Sequence, residues 1–318
     1  MILTVTLNTA LDITYRVREL RPYTSHRVTS VTEHPGGKGL NVARVLAALG
    51  HEVTATGFTG GPTGRAVQDQ LTATLGVLDA LVPVSGSTRR TIAVLDGTAS
   101  GMTSDATHLN EPGPQITPAE WSAFQDVYEG LLPSVSAVAL CGSLPPGVPV
   151  GAYAGLIRTA RAAAVPVLLD TSGEPLRRGV AARPDLVKPN AGELAELTGS
   201  HEPSKATRDA RRRGARAVVA SLGADGLLAV TPEGCWRATP PTRVRGNPTG
   251  AGDSVVAGLL SGLVDRLPWP ARLTRAVALS TATVLAPVAG EFDRATYEKL
   301  LDRVTVAGEA TAAQCPAP

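Results

Sequence analysis

One octapeptide of the chain, residues 247–254, combines residue types that can bind an anion and move a proton. It reads Asn-Pro-Thr-Gly-Ala-Gly-Asp-Ser and runs into apolar residues at helical spacing, so it marks the start of a helix. The first turn of a helix offers unpaired backbone N–H groups and the positive end of the helix dipole. Gly250 and Gly252 let an anion approach these amides, because neither has a side chain in the way. Asp253 could take the proton of an attacking hydroxyl while the amides hold the charge of a transferred group.

The same octapeptide has a simpler interpretation. A strand-to-helix turn with Asp253 as an ordinary helix-start residue would have this composition as well. The octapeptide alone leaves the two interpretations about even, so the decision depends on the other polar clusters of the chain.

A second Gly-rich segment, Gly-Gly-Lys-Gly-Leu-Asn, places Lys38 and Asn41 at the start of another predicted helix. A lysine there opposes the helix dipole, so it is a poor choice for stability alone and a good one if an anionic ligand shares the site. Arginine suits a phosphate because its planar guanidinium makes bidentate contacts. Arg27, Arg89 and Arg90 are candidates for such contacts, although a solvated surface position is the commoner fate of any single arginine.

Two more polar residues follow predicted strands. Asp12 comes after the first strand, where it is either a turn aspartate or a carboxylate that binds two hydroxyls of a polyol. Ser143 lies in the turn-rich Gly-Ser-Leu-Pro-Pro-Gly, where it could reach a sugar hydroxyl or cap the following turn. Ligands of open α/β sheets gather at the carboxyl ends of strands, so several polar clusters at such ends count for more than any one of them.

The segment Lys-Pro-Asn-Ala-Gly-Glu, which begins at Lys188, opens a further predicted helix. Asn190 and Glu193 are three residues apart and therefore share a face. They could cap the helix, or they could orient water and Mg²⁺ around the phosphates of a nucleotide, since Mg²⁺ takes few direct protein ligands. The turn from Ser221 to Gly226 lies between two predicted strands and suits either a nucleotide or a plain hairpin.

The elements that must position these residues alternate between apolar strands and helices. Strands are predicted at residues 2–7, 53–58, 135–140, 165–169, 186–187, 217–221, 226–230 and 235–238. Helices are predicted to end near residue 50, to follow the octapeptide, and to cover residues 64–75, 118–131, 152–164, 205–213, 269–285 and 294–304. This alternation predicts one α/β domain with a mainly parallel sheet covered on both faces.

Short predicted strands at residues 13–17, 27–32 and 91–95 do not fit this rhythm. The first two predict a small antiparallel excursion, and the third is expected to join it in a lid formed from about residues 10–35 and 85–112 of the single domain at 1–318. Residues 308–318 are expected to form a disordered tail.

Composition excludes several classes of function. The net charge of the 318-residue chain is +2 without a long basic run, so nucleic acid is not an expected partner. No apolar run approaches the roughly 20 residues that span a bilayer, and the first residues read as a strand, not a signal peptide. Cys141, Cys235 and Cys315 are odd in number and far apart, which argues against a disulfide framework and a zinc site. We expect a cytoplasmic protein without a membrane partner.

Three common nucleotide motifs are missing from the sequence. It has no G-x-x-x-x-G-K-[ST], which excludes a P-loop kinase, and no H-R-D or D-F-G, which excludes a protein kinase. No clean G-x-G-x-x-G follows the first strand, which weakens a dinucleotide site.

With these motifs in view, the chain resembles the ribokinase-like PfkB carbohydrate kinases over essentially its whole length to about Val304. Asn-Pro-Thr-Gly-Ala-Gly-Asp resembles the second signature of that family, and Gly-Gly-Lys-Gly-Leu-Asn-Val-Ala-Arg resembles the first. Leu-Thr-Val-Thr-Leu-Asn and Gly-Ser-Leu-Pro-Pro-Gly are most similar to the 1-phosphofructokinase and tagatose-6-phosphate kinase branch. The resemblance implies a Rossmann-type three-layer sandwich, with a sheet of about nine strands and a β-sheet lid over the sugar.

The resemblance also implies an activity, the transfer of the γ-phosphoryl group of Mg·ATP to a hydroxyl of a sugar phosphate. Fructose 1-phosphate is the first expected acceptor, and tagatose 6-phosphate or fructose 6-phosphate come next. ATP and Mg²⁺ are the expected cofactors, with a monovalent cation such as K⁺ as an addition. A homodimer through the lid is the expected assembly.

Site residues carry over by position. Asp253 would be the catalytic base, and the amides of Gly250, Ala251 and Gly252 would form the anion hole. The sugar side would comprise Asp12, Gly37, Lys38, Asn41 and Ser143, with Arg89 and either Arg27 or Arg90 on the phosphate of the sugar. The nucleotide side would comprise Lys188, Asn190, Glu193, Ser221, Gly223, Gly226, Thr249, Gly250 and Gly252. Asn190 and Glu193 would organise Mg²⁺ through water and phosphates.

Three positions depart from the pattern of the branch. Thr9 stands where proline is usual, Cys141 where serine is frequent, and Arg90 duplicates a single arginine. All three lie near the proposed sugar side, so the identity of the acceptor stays open. The alternatives are a kinase of an unphosphorylated sugar, nucleoside or specialised-metabolite polyol, and a non-catalytic sensor of sugar phosphates or nucleotides.

Overall fold

The structure is a computed structural model that describes residues 1–96, 106–244, 246–286 and 288–308. Its strands are β1 (Ile2–Thr6), β2 (Ala10–Val17), β3 (Ser30–Gly36), β4 (Val53–Thr59), β5 (Val77–Pro83), β6 (Arg89–Asp96), β7 (Ala106–Asn110), β8 (Ala137–Cys141), β9 (Val167–Asp170), β10 (Leu186–Val187), β11 (Ala217–Ser221), β12 (Leu227–Val230), β13 (Cys235–Thr239) and β14 (Thr305–Gly308). Its α-helices are α1 (Lys38–Ala48), α2 (Gly61–Thr72), α3 (Pro118–Leu131), α4 (Ala152–Ala162), α5 (Gly173–Ala181), α6 (Ala191–Thr198), α7 (Pro203–Arg212), α8 (Ala251–Val264), α9 (Trp269–Val284) and α10 (Arg294–Leu301).

The described residues form one large sheet of ten strands, in the order β14-β13-β12-β11-β10-β9-β8-β1-β4-β5. The seven strands from β11 to β5 are joined by parallel pairs, in which Ile2 of β1 lies opposite Val53 on one side and Ala137 on the other. Strands β12, β13 and β14 extend this sheet by antiparallel pairing. The predicted mainly parallel α/β sheet is therefore confirmed.

The central strands are buried on both faces because they are apolar at almost every position. Every residue of β1, β4 and β8 is buried, as expected for parallel strands between two helical layers. One apolar core joins the sheet to α1, α2, α8, α9 and α10. A second core, with Phe124, Tyr128 and Tyr153 among its fully buried residues, joins the other face to α3–α7. These three layers are the predicted sandwich.

A small sheet of four strands stands apart from the large one, in the order β3-β2-β6-β7. Its strands lie in the two segments predicted for a lid, and the predicted antiparallel arrangement of residues 13–17 and 27–32 is confirmed by β2 and β3. Strands β2 and β6 are parallel, while β3 and β7 pair antiparallel on the outside. The long connection through β4, α2 and β5 lets the chain enter β2 and β6 in the same direction. The predicted lid residues 97–105 lie outside the described residues.

Several boundaries differ from the sequence prediction. The third strand begins at Ser30 instead of residue 27, and the second helix spans Gly61–Thr72 instead of 64–75. Strand β5, helix α5 and strand β14 were not predicted from the periodicity. The described residues place ten strands in the large sheet, where the resemblance implied about nine. Gly308, expected in the tail, ends β14, where it pairs with Trp236; residues 309–318 of that tail lie outside the described residues. Within the described ranges, no helix combines the length and apolar character needed to cross a bilayer.

Candidate active site

The carboxyl ends of β1, β8 and β9 meet at one edge of the large sheet. The chain leaves β1 in the direction of β4 and later returns to β8 on the other side of β1. Helices α1 and α4, which come after these strands, pack on opposite faces. Such a reversal of strand order opens a crevice, and ligands of α/β sheets bind there. Asn8 and Ser143 face each other across it, since Asn8 Nδ2 donates a hydrogen bond of 3.1 Å to Ser143 Oγ.

Asp253 lies in this crevice, in the first turn of α8. The residue is only 7% exposed. Its Oδ2 accepts a hydrogen bond of 2.9 Å from Nδ2 of Asn41, which belongs to α1. Two residues that are more than 200 positions apart are thus brought together at the helix starts where the sequence places them.

The surroundings of Asp253 disfavour its charged form. Burial raises the pKa of Asp253 to about 7, and the carboxylate of Asp170 adds to this rise. The ammonium groups of Lys38 and Lys188 and the hydrogen bond from Asn41 oppose it. A carboxyl group with a pKa near neutrality suits a general base, because it can both accept and release a proton at physiological pH.

The predicted anion hole is the N-terminal turn of α8. Gly250 precedes the helix with a φ of 82°, and a Cβ there would lie 2.9 Å from Cβ of Ala289, so glycine is required. The N–H of Ala251 donates to the Pro248 carbonyl oxygen at 3.1 Å. The case for anion binding therefore depends on the amides of Gly250 and Gly252, and Lys188 Nζ lies 3.7 Å from where a Cβ of Gly252 would be.

Asp170, at the carboxyl end of β9, belongs to the site although the sequence interpretation overlooked it. Its Oδ1 lies 3.2 Å from Nζ of Lys38 and 3.4 Å from Nζ of Lys188. The signal for finding it was present, because an aspartate directly follows the apolar strand residues 167–169. Lys38 and Lys188 were assigned to different ligands, and the structure places both at one carboxylate.

Asp12 and Arg89 stand on neighbouring strands of the small sheet, where Ala10 lies opposite Arg89 and Asp12 opposite Thr91. Burial raises the pKa of Asp12, while a hydrogen bond with Thr91 and the charges of Arg89 and Arg44 oppose the rise. The Asp12 carboxyl packs on the backbone of the β3 end, since a Cβ on Gly36 would lie 2.1 Å from its Cγ. Arg89 donates from Nε to the Asn8 carbonyl and from Nη1 to the Glu111 carbonyl, each at 3.2 Å. Asp12 and Arg89 thus lie close together, as the predicted sugar site requires.

The other two arginines of the predicted phosphate site have different surroundings. Arg90 is about half exposed and forms a salt bridge of 2.6 Å with Glu111. Arg27 is exposed in the segment between β2 and β3. Of the three predicted arginines, Arg89 is the one whose charge acts on Asp12.

Gly37 and Lys38 begin α1 beside these residues. Gly37 has a φ of 101°, and a Cβ on it would lie 2.7 Å from Cγ2 of Thr6, so the close approach of α1 to β1 requires glycine. Burial lowers the pKa of Lys38, but the charges of Asp170 and Asp253 outweigh this effect and raise it above its ordinary value. Lys38 is therefore a permanent cation at the crevice.

A cavity of about 570 Å³ lies on the other side of the first turn of α8. This volume is within the usual range for ligand pockets, roughly 300–1,000 Å³. Its walls include the apolar side chains Leu227, Val255, Val277 and Val284. Five predicted nucleotide residues line it: Asn190, Ser221, Gly223, Gly226 and Gly252. This combination of apolar side chains with amide and hydroxyl groups fits the base and phosphates of a nucleotide.

The remaining predicted nucleotide residues border this cavity. Lys188 lies beside Gly252, while Thr249 and Gly250 connect the lining residues Pro248 and Ala251 along the chain. Glu193 bonds the lining residue Asn190 in a reciprocal cap of α6: Asn190 N–H donates to Glu193 Oε2 at 2.8 Å, and Glu193 N–H donates to Asn190 Oδ1 at 2.9 Å. The capping interpretation of this pair is therefore confirmed.

Among the described residues, no three His, Cys, Asp or Glu side chains gather as a metal cluster. Mg²⁺ at nucleotide sites is usually bound by one or two carboxylates together with phosphates and water. Glu193, capping α6 at the edge of the cavity, is a donor of the kind that this mode requires.

Comparisons with known proteins agree with this geometry. Residues 4–294 match the model of the pfkB family carbohydrate kinases. Phosphofructokinase-2 from Escherichia coli in complex with potassium is 29% identical, with a TM-score of 0.86 over 95% of this chain and 98% of that one. The same enzyme in complex with fructose-6-phosphate gives a TM-score of 0.85 at 29% identity, over 95% of this chain and 98% of that one. A possible 1-phosphofructokinase from Thermotoga maritima is 27% identical, with a TM-score of 0.87 over 98% of this chain and all of that one.

The family match spans both Gly-rich segments and every predicted site residue, from Asp12 to Asp253. With the buried aspartate at a helix start, the nucleotide-sized cavity and the fold all in agreement, the chain belongs to the PfkB family of carbohydrate kinases.

Proposed function

We propose that the chain is an ATP-dependent kinase of a phosphorylated ketohexose, with fructose 1-phosphate as the first acceptor and tagatose 6-phosphate next. The observation that carries the proposal is the position of Asp253. Its neighbours Ala251 and Gly252 line the nucleotide cavity. Its own carboxylate accepts a hydrogen bond from Asn41 of α1, and the residues just before α1 pack on Asp12. A base at the boundary of two sites is what phosphoryl transfer from a nucleotide to a second ligand requires.

The residues then divide the work as follows. Asp253 takes the proton of the attacking hydroxyl, and the amides of Gly250 and Gly252 stabilise charge on the transferred group. Mg·ATP supplies the phosphoryl group and, through the metal, neutralises part of its charge. Asn190 and Glu193 would hold the metal through water and phosphates. Catalysis depends mainly on positioning and electrostatics, since little covalent chemistry is left to the protein.

On the acceptor side, Asp12 would bind sugar hydroxyls and Arg89 the phosphate already on the sugar. Arg89 is half-buried and its guanidinium is already fixed by two backbone carbonyls, so it can offer its remaining N–H groups at little entropic cost. The Gly-Gly-Lys-Gly-Leu-Asn and Gly-Ser-Leu-Pro-Pro-Gly segments favour the 1-phosphofructokinase and tagatose-6-phosphate kinase type. The likeness to a phosphofructokinase-2 in complex with fructose-6-phosphate adds fructose 6-phosphate as a further candidate.

The proposal is tested by ADP release with Mg·ATP across fructose 1-phosphate, fructose 6-phosphate, tagatose 6-phosphate, free fructose, ribose and adenosine. We expect a preference for one phosphorylated ketohexose. A preference for a free sugar or for adenosine would overturn the role of Arg89. Saturable ATP binding without turnover of any acceptor would favour a sensor.

We further infer a homodimer formed through the small sheet, in the cytoplasm, where ATP and sugar phosphates are available. Val31 on the edge strand β3 is 52% exposed and Leu109 on the edge strand β7 is 56% exposed. Exposed edge strands with apolar side chains favour pairing with another chain. A tetrameric form is known for phosphofructokinase-2 from Escherichia coli. Light scattering at several protein concentrations measures the assembly, and a monomer throughout would contradict the inference.

A further inference from the structure

The carboxylate of Asp170 is where two lysines from distant parts of the chain meet. Lys38 starts α1 and Lys188 follows β10, yet both ammonium groups approach the same oxygen, Oδ1 of Asp170, at 3.2 and 3.4 Å. The side chains of Asp170 and Lys188 are 1% and 5% exposed, while that of Lys38 is 39% exposed. Two cations thus share one buried anion, and one of them reaches the solvent of the crevice.

The backbone holds Asp170 firmly in place. Its carbonyl oxygen accepts the N–H of Gly142 at 2.9 Å. The Gly142 carbonyl in turn accepts hydroxyl hydrogen bonds from Tyr153 at 3.0 Å and Thr171 at 2.8 Å. A carboxylate this deeply buried is costly unless it is paired, and its Oδ2 has no hydrogen-bond partner among the described residues. The two lysines are therefore the ion-pair partners that this buried carboxylate requires.

The lysine pair lies on the two sides of Asp253. Lys188 Nζ is beside the first turn of α8, 3.7 Å from where a Cβ of Gly252 would be. Lys38 and Asn41 both lie in the first turn of α1. Asn41 donates a hydrogen bond to Asp253. Lys188 is therefore on the nucleotide side and Lys38 on the acceptor side, with Asp170 between them.

We propose that Asp170 is a positioning residue that holds Lys38 and Lys188 as a pair along the path of the phosphoryl group. The inference rests on the proposed function. It adds a residue that positions two others to the residues that would contact the substrates. Two ammonium groups and one carboxylate leave one net positive charge for the transferred group. Without Asp170 no carboxylate would offset the repulsion between the two ammonium groups, so they would separate, and the pKa of Lys38 would lose the charge that raises it most. Asp170 does not touch either substrate in this arrangement and acts through the lysines.

The pairing itself can be measured without any substrate, because the chain has only four lysines. Competitive acetylation with acetic anhydride, read by mass spectrometry, reports the reactivity of each one, and the exposed Lys205 and Lys299 are internal standards. We expect Lys38 to react more slowly than the standards. In Asp170→Asn its rate should rise about tenfold or more, the factor that one unit of pKa represents. An unchanged rate at Lys38 would overturn the pairing.

The functional role is measured by steady-state kinetics with the acceptor that the panel identifies. Asp170→Asn should lower kcat by about 100-fold, the effect of a displacement of about 1 Å in positioned groups. The KM for ATP should not rise, because removing a negative charge does not weaken the attraction of phosphates. The matched control is Asp185→Asn, since Asp185 bonds the N–H of Val167 at the opposite end of the same strand. The control should keep both parameters.

A double-mutant comparison separates action through the lysines from a direct action of Asp170. In a Lys38→Gln/Lys188→Gln background, whose amides can still donate to the carboxylate, Asp170→Asn should change kcat by less than about threefold. A further loss of about tenfold there would overturn the proposal. This comparison also applies if Asp170→Asn does not fold by itself. A wild-type chain that phosphorylates no acceptor would count against the proposed function, whereas the acetylation result would still decide the pairing.

Discussion

At the scale of single residues, the surroundings of Asp253 limit the pH range in which it can serve as the proposed base. Burial and the charge of Asp170 raise its pKa to about 7, yet a base must be deprotonated to act. Activity should therefore rise with pH through about 7 and level off above it. Asp253→Asn should lower kcat by about 10²–10⁴-fold, the usual contribution of a general base, with little change in either KM. Near-normal turnover of this variant would show that the base is another group.

The same substitution should improve stability at high pH. The folded pKa of Asp253 is raised above its unfolded value of about 3.9. Between these two values the folded state binds more protons than the unfolded state. The contribution of Asp253 to the free energy of unfolding therefore falls as the pH rises from about 4 to 7. Asparagine does not titrate. The difference in Tm between Asp253→Asn and wild type should therefore grow from pH 4 to pH 8, measured by thermal unfolding; a constant difference would contradict the raised pKa.

Arg89 and Arg90 are adjacent residues with different surroundings, and together they offer a matched pair of variants. Arg89 acts on Asp12 and bonds two carbonyls of the crevice, whereas Arg90 pairs with Glu111 at the surface. Loss of a charged contact to the acceptor phosphate should raise the acceptor KM of Arg89→Ala by at least about 30-fold, while the KM for ATP is unchanged. Arg90→Ala should alter both values by less than about threefold, since exposed ion pairs contribute little. Equal effects of the two variants would remove Arg89 from the phosphate site.

At the scale of helices and strands, a substitution in the first turn of α8 should change stability and activity in opposite directions. A Cβ on Gly252 would meet Lys188 Nζ at 3.7 Å, an ordinary contact, in a helix that would gain from alanine. Gly252→Ala should therefore raise stability by about 1 kcal/mol. Its methyl group would stand where an anion approaches the amides, so kcat should fall by about 100-fold.

The matched control for this helix start is Gly155→Ala in α4, where a Cβ would meet nothing within 4 Å. It should give a similar gain in Tm and keep full activity. If Gly252→Ala kept its activity as well, the anion hole would have to lie elsewhere. Gly250 cannot serve as such a probe, because its positive φ makes any side chain strained.

The sequence predicted those elements whose apolar periodicity is long and regular. Helix α3 and strand β11 were predicted at their observed bounds, and strands β12 and β13 were each predicted to within one residue. Helix α5 was missed because only Leu176, Gly179 and Val180 of its nine residues are buried, a short stripe that gives a weak periodic signal. Strand β14 falls between the helix predicted to end at residue 304 and the tail predicted from residue 308, and it was missed since its four residues are mostly exposed and pair with β13 at the edge of the sheet.

The site was predictable where its chemistry is local and not where it depends on distant pairing. Asp253 and its glycines form one segment, so a role could be proposed for them from residue types. The proposed role of Asp170 depends on its contact with Lys38, which is 132 positions away in the sequence. No local sequence pattern indicates that contact. Likewise, the parallel pairing of β2 with β6 depends on the path of the intervening chain through the large sheet.

At the scale of the whole molecule, the site joins two sheets of very different burial. The central strands β1 and β4 are completely buried, while most of β3 is exposed and β6 is only partly buried. These parts of the small sheet are therefore less buried than the central strands, and moving elements are usually drawn from such parts of a fold. The proposed role of the small sheet as a lid requires that the acceptor, and not the nucleotide, fix its position, because Asp12 and Arg89 stand on β2 and β6.

Hydrogen exchange followed by mass spectrometry tests this division. An acceptor that bridges Asp12 and Arg89 of the small sheet to Lys38 and Asn41 of α1 binds only the closed arrangement. At about 100 times its Kd it should slow amide exchange in β2, β3 and β6 by up to about 100-fold, while the buried β1 and β4 are unaffected. A non-hydrolysable ATP analogue alone is the control, and it should protect only the segments that line the nucleotide cavity. Protection of the small sheet by the nucleotide alone, or no protection by the acceptor, would show that this sheet is not a lid over the sugar.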